Sequence, residues 1–430
     1  MSGVDEGLGF PIHRTTLSNG LRVVAAPDPS FPVVAINLWY GVGSKDERPG
    51  RTGFAHLFEH MMFQGSAHVS KNGHFEHVER AGGSLNGSTW FDRTNYYETL
   101  PAHQLDLGLW LESDRMGFMV EAMTQEKLDN QRDVVKNEKR QRYDNQPYGD
   151  WDEHLQQLMW PSDHPYHHTV IGSMEDLDAA SLDDVAAFFR TYYVPNNAVL
   201  TVAGDAPPEA VFAAAERWFG ELPRGEDPPP VPGRVDVGAV IGSTRRTDLD
   251  RDVPLPRLVV GLRIPPFTDP RFEAVDLAAQ ILGQGRGSRL YRSLVREQRI
   301  ARTASAFALP LTAGGSTLLV FVTGYPETDL DALQAALFAE FDAMAEVTDA
   351  EVERARVLAA AREVRSLESM AHRADLLSMY TTIFDDPGRL NTTLSRIDAV
   401  RTEQVRAVAR DFLGADNRAV VAYRPEGGAR

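Results

Sequence analysis

Residues 190–205, Arg-Thr-Tyr-Tyr-Val-Pro-Asn-Asn-Ala-Val-Leu-Thr-Val-Ala-Gly-Asp, are echoed by residues 410–425, Arg-Asp-Phe-Leu-Gly-Ala-Asp-Asn-Arg-Ala-Val-Val-Ala-Tyr-Arg-Pro, at an offset of 410 − 190 = 220. The β-branched run 32–38 has a similar counterpart in 257–263, and both read as strands. An internal duplication on this scale restricts the chain to one architecture built twice. Between the copies, residues 222–233 are too rich in proline for a helix or a central strand and read as a semi-rigid linker. We therefore expect a first domain over 1–222, a linker over 223–236 and a second domain over 237–430. Each half opens on strands and runs into helices, at 206–219 and at 349–367 behind Thr348 as N-cap, so the expected class is α+β.

The two halves are not chemically equivalent. Within the apolar run 54–63, His56, Glu59 and His60 form H-x-x-E-H, the inverted zinc-peptidase signature. On a helix, residues four apart stack on one face with the third neighbour beside them, so two imidazoles can grip one metal while Glu59 points into the same space. Catalytic zinc takes about three protein ligands and leaves a fourth position to water, whose pKa falls to roughly 7. A carboxylate at Glu59 can take the proton of that water and return it to a leaving amine. In the second half the lone histidine is His372.

A third ligand has to come from another segment. Residues 124–143 read as a long polar helix in which Leu128, Gln131, Val135 and Glu138 fall at i, i+3, i+7 and i+10 on one face. An acid in line with buried Leu and Val is costly unless it meets a cation or a metal. Spacing alone leaves Glu138 equally readable as a solvated member of a helix that also holds Asp129, Asp133, Lys136 and Lys139.

The chain's 430 residues and 43% hydrophobic content suffice for two cores, and the absence of cysteine leaves only His and carboxylate as strong metal ligands. A formal net charge of −17 argues against nucleic acid as a partner. The same charge favours basic peptides, or serves solubility alone. No apolar run approaches the roughly 18 residues of a membrane span, and the opening residues carry neither a basic leader nor an apolar core, so the expected location is cytoplasmic, away from membranes. The glycine-rich turn 283–287 before a helix at 288–297 lacks the spacing of a nucleotide fingerprint.

Taken together, residues 53–65, 82–89 with 94–97, 134–138, 164–166, 171–172, 192–198 and 204–205 resemble the M16 (pitrilysin/insulysin) metallopeptidases, in particular the short-chain branch that includes mitochondrial processing peptidase and its bacterial relatives. The resemblance spans nearly the whole sequence. It implies two domains of one fold, each a mixed, mainly antiparallel sheet with helices packed on one side. It also implies one Zn2+ per chain, with the third ligand some 75 to 80 residues beyond the second histidine; here 138 − 60 = 78. His56, His60 and Glu138 then hold zinc and Glu59 is the base. Ser84, Leu85, Asn86, Gly87, Ser88 and Thr89 lie beside the metal and accept substrate as an added strand. The resemblance also implies that the glycine-rich turn is a mobile or chamber-lining loop, like one in a similar place in the family's non-catalytic partner subunits.

Two departures from the family pattern stand out. Many relatives pair an arginine with a tyrosine seven positions later in the second domain, facing the zinc; Arg296 is present here, but Thr303 occupies the tyrosine position. Gln131 stands where many relatives carry a glutamate seven residues before the ligand, which weakens the charge behind the metal without removing a ligand. The expected activity is zinc-dependent endopeptidase cleavage of short or unfolded peptides in a closed chamber; the alternative is a non-catalytic structural or assembly subunit. Because of Thr303, the expected assembly is a heterodimer with a paralogue that lacks the zinc motif and supplies the Arg/Tyr pair, and a homodimer is the alternative.

Overall fold

The computed structural model describes residues 7–426; the opening segment weighed above as a possible leader lies outside them up to residue 6. The chain forms two compact units. The first comprises Met1–Asn137, Val170–Pro232 and Glu363–Ser395; the second comprises Glu138–Thr169, Gly233–Arg362 and Arg396–Arg430. Compactness thus groups the chain differently from a single cut at 223–236. One segment of each sequence half belongs to the other half's unit.

In the first unit, strands β1 (His13–Thr16), β2 (Arg22–Pro27), β3 (Val33–Tyr40), β4 (Ser84–Thr89), β5 (Thr94–Pro101) and β6 (Ala198–Gly204) form a sheet in the order β1-β2-β6-β3-β5-β4. Only β2 and β6 run parallel. The second unit holds β7 (Arg245–Arg251), β8 (Arg257–Ile264), β9 (Ala301–Leu309), β10 (Ser316–Gly324) and β11 (Ala419–Pro425) in the order β7-β11-β8-β10-β9, again with one parallel pair, β7 and β11. Without β1, the first order maps strand for strand onto the second. The duplication read from two short echoes is a duplication of the whole sheet topology, and the α+β class is as expected.

Helices Phe54–Met61, Gly73–Arg80, Leu105–Phe118 and Pro208–Phe219 pack on the first sheet. Helices Phe272–Gly283, Leu330–Ala343 and Thr402–Phe412 do so on the second, over a core that includes Leu258, Val260 and Leu262. The remaining face of each sheet is not left to solvent. Helix Met370–Phe384, from the second half of the sequence, lies on β3 and β6, and helix Trp151–Met159, from the first half, lies on β8 and β11. This explains why β6 and all but the first residue of β3 and β8, strands rich in apolar residues, are buried along both faces. At Gly261 a Cβ would come within 2.4 Å of Met159 Sδ, so the exchanged helix seats directly on backbone.

Other expectations are met with adjusted ends. Helix Asp349–Ser366 begins behind Thr348, whose Oγ1 accepts from the Glu351 amide at 3.3 Å while Glu351 accepts from the Thr348 amide at 2.9 Å. The polar helix is α-helical over Gln125–Lys139 and then widens into a π-helical turn over Arg140–Asp144. The helix after the glycine-rich turn is likewise wide over Tyr291–Glu297. No helix among the described residues is long and apolar enough to cross a membrane.

Candidate metal centre

The motif helix Phe54–Met61 is short and buries Phe54, Ala55, Leu57, Phe58 and Met61, leaving His56, Glu59 and His60 half-buried on the other side. Phe58 is wedged against Phe188, Phe189 and Tyr193 at ring distances of 5.3, 6.0 and 5.0 Å, which fixes the helix's rotation. Its N-terminus is held from outside. The Glu47 carboxylate accepts from the Gly53 amide at 2.8 Å and from the Ala55 amide at 2.7 Å. Burial pushes the Glu47 carboxyl pKa well up, and those two amides pull it back down. Sequence reading missed this residue because it lies six and eight positions before its partners, outside the spacing of any local cap.

Four residues apart, His56 and His60 bring their Nε2 atoms to 3.3 Å with ring planes at 83°. Two nitrogens each about 2.0–2.1 Å from a tetrahedral ion would be about 3.3–3.4 Å apart, so the pair is spaced as two ligands of one zinc-sized cation. Glu138 completes the set. One ligand atom from each of His56, His60 and Glu138 lies within 4.8 Å of the others, the only such group among the described residues. Helix Gln125–Lys139 carries Glu138 there, with Leu128, Gln131 and Val135 buried on its inner face as the spacing implied. Glu138 also pairs with Arg142 at 2.7 Å, one turn further on. Arg142 is 74% exposed, so water competes for its guanidinium and a dication can take its place on Glu138. Two imidazoles and a carboxylate are a donor set suited to zinc, so the residues fit the ion.

Gln131 is buried on the ligand helix, and its amide donates to Asn130 Oδ1 at 3.0 Å. Glu59 interacts electrostatically with Arg93, Tyr96 and Tyr193; the two tyrosines lie in the segments that carry the family resemblance, and Arg93 was not singled out. Burial lowers the Arg93 pKa, while Asp375 and Glu59 oppose that fall; burial raises both phenols, and Glu59 adds to the rise.

The strand β4 is the last in its sheet and passes directly alongside Glu59. A Cβ on Gly87 would lie 3.2 Å from Glu59 Cγ, 3.3 Å from Phe63 and 3.3 Å from Tyr96, so glycine is what permits the approach. Ser84, Leu85, Asn86, Ser88 and Thr89 flank it on the same strand, with Ser84 and Asn86 exposed. Arg296 lies exposed in the wide turn Tyr291–Glu297, and Thr303 lies exposed on β9.

Residues 22–169, which carry all four motif residues, match the family model for insulinase (peptidase family M16), and residues 179–357 match that for the peptidase M16 inactive domain. A zinc protease of Helicobacter pylori, PqqE, is 30% identical over 97% of this chain and 94% of its own length. The chain belongs to the M16 peptidase family. Among other M16 proteins, a probable mitochondrial-processing peptidase subunit beta of Arabidopsis thaliana is 25% identical over 96% of this chain and 78% of that protein. A crystal structure of a protease from Helicobacter pylori superposes with a TM-score of 0.90 at 28% identity, covering 97% of this chain and all of the other.

Proposed function

We propose that this M16 chain is a zinc-dependent endopeptidase acting on short or unfolded peptides. The observation that carries the reading is the pair of Nε2 atoms 3.3 Å apart with Glu138 within 4.8 Å, beside Glu59. Zinc, when held by His56, His60 and Glu138, supplies a Lewis acid that polarises a peptide carbonyl and acidifies water. Glu59 takes the proton from the attacking water and passes it to the leaving nitrogen. No side chain becomes covalently attached to substrate.

Backbone groups of β4 hold the peptide. The Trp90 amide donates to the Arg93 carbonyl at 2.8 Å, so 90/93 is a hydrogen-bonded position of the hairpin, and by alternation so are 88/95, 86/97 and 84/99. The amides and carbonyls of Leu85, Gly87 and Thr89 therefore face away from β5, toward an incoming strand. Main-chain pairing of this kind accepts varied side chains, which suits a broad range of peptides. The Gly87 amide is covered by Asn86 Oδ1 at 2.9 Å, a contact the substrate displaces.

Thr303 is exposed on β9, and its hydroxyl stands too close to the backbone to replace a phenol. On that ground the active assembly is a heterodimer with a related chain that lacks H-x-x-E-H and supplies the Arg/Tyr pair. The test is elemental analysis and mass spectrometry of peptide digests for wild type and Glu59→Gln, with and without such a partner. Metal at one per chain in both proteins, with hydrolysis lost only in Glu59→Gln, is the expected result. Bound metal with no hydrolysis under any pairing would support a structural subunit instead.

A further inference from the structure

The exchanged helix Met370–Phe384 brings a carboxylate against the sheet behind the substrate strand. Asp375 Oδ1 accepts from Asn37 Nδ2 at 3.3 Å and from Asn95 Nδ2 at 3.1 Å. Asn95 Oδ1 in turn accepts from Ser88 Oγ at 2.7 Å, and Arg93 donates to the Ser88 carbonyl at 2.7 Å and to Ser88 Oγ at 2.5 Å. These bonds link β4 through β5 to a residue 375 − 95 = 280 positions further along the chain.

Their direction follows from one member. An ionised carboxylate only accepts, so both asparagine amides must present NH2 to Asp375. Asn95 is then left with its carbonyl toward Ser88, Ser88 must donate to it, and the remaining lone pairs of Ser88 face Arg93. Hydrogen bonds oriented in one sense reinforce each other, and the chain runs Arg93 to Ser88 to Asn95 to Asp375. Ser88 sits between Gly87 and Thr89, whose main-chain groups face outward, and its side chain points to the opposite side of the strand from Glu59. Pinning Ser88 sets the height and twist of the strand at the point where a peptide would pass Glu59.

We propose that Asp375 is a positioning residue for substrate: through Asn95 and Ser88 it fixes the peptide-accepting edge of β4, and it acts on peptide affinity rather than on metal. This rests on the reading of β4 as the substrate strand. Steady-state kinetics and peptide binding to the Glu59→Gln background test it, using Asp375→Ala, which removes the shared acceptor, Ser88→Ala and their combination in the full chain with its partner. The expected result is a roughly fivefold rise in KM and in peptide Kd for each variant, the scale of one net hydrogen bond. Metal content should stay at one per chain, and the double variant should be no worse than either single one, because both break one chain.

Leu85→Pro separates this inference from the reading beneath it. It removes one outward amide without touching the Asp375 chain, and an edge position tolerates proline. If Leu85→Pro weakens peptide binding while Asp375→Ala does not, Asp375 has no positioning role and the substrate strand stands. If Leu85→Pro leaves binding unchanged, the substrate strand falls and the inference with it. Additive effects of Asp375→Ala and Ser88→Ala would also overturn the inference, since they would place the two residues on separate paths.

Discussion

Gly87→Ala is a small change whose effect can be worked out from the contacts around it. The new Cβ would lie 3.2 Å from Glu59 Cγ and 3.3 Å from ring carbons of Phe63 and Tyr96, against an ordinary carbon–carbon contact of about 3.5–4.0 Å. The rings have little freedom. Tyr96 is fully buried, Phe63 packs against it at 5.9 Å, and the Arg115 guanidinium lies over both, at 4.3 and 5.2 Å. Glu59, the remaining neighbour and half-buried, therefore gives way by about 0.4 Å. If a displacement of 1 Å costs about a hundredfold in rate, 0.4 Å costs about sixfold, or about 1 kcal/mol in the barrier. Backbone effects of Gly→Ala are of the opposite sign and about 0.4–1 kcal/mol in folding stability, so the fold should tolerate the change. Peptide hydrolysis at saturating substrate, with bound zinc measured on the same sample, gives the answer. A kcat equal to wild type would refute the proposed contact between the edge strand and the base, and a loss of metal in parallel with kcat would place the damage at the ligands instead.

Glu47→Ala removes the external clamp on the motif helix and leaves two amides without their acceptor, at a cost of about 2–4 kcal/mol; a fall in the urea midpoint accompanied by faster zinc release to a chelator is expected, and unchanged release would uncouple the clamp from the site. Buried His164 and His74 contribute an acid sensitivity. Burial first, then Arg263, lowers His164 to about 4, and burial first, then Arg115, lowers His74 to about 3. Both folded values lie below the unfolded 6.5, so the stability they support is present above pH 6.5 and is lost as pH falls toward 4 and 3. Between pH 7 and 5 each should cost about 2 kcal/mol. His164→Asn, which keeps an acceptor for the Tyr166 amide, should flatten the profile by its share; urea melts at the two pH values check this, and an unchanged slope would contradict it.

Much of the site was legible because its signals are local. His56, Glu59 and His60 share one turn of helix, whereas the face that Glu138 shares with Leu128 and Val135 left it readable either way until the family resemblance singled it out. Sequence spacing predicts which residues of an element line up, and the elements themselves formed where expected. It carries no information about which sheet a helix will cover. Helices Trp151–Met159 and Met370–Phe384 lie in opposite halves of the sequence, yet each covers the other half's sheet. Glu47 and Asp375 stayed hidden for the same reason: their partners are fixed by tertiary placement, and no periodicity links position 95 to position 375.

That exchange bears on how such a chain could be divided. A cut within the proline-rich connector would yield one fragment whose six-stranded sheet has lost the cover over β3 and β6, and another stripped of the cover over β8 and β11. Each fragment would present a broad greasy wall to water and the wanted patch for its counterpart. The halves of this chain share one repeated plan, but each compact unit borrows a segment from the other half, so neither half by itself is a complete module to be lifted out or shuffled.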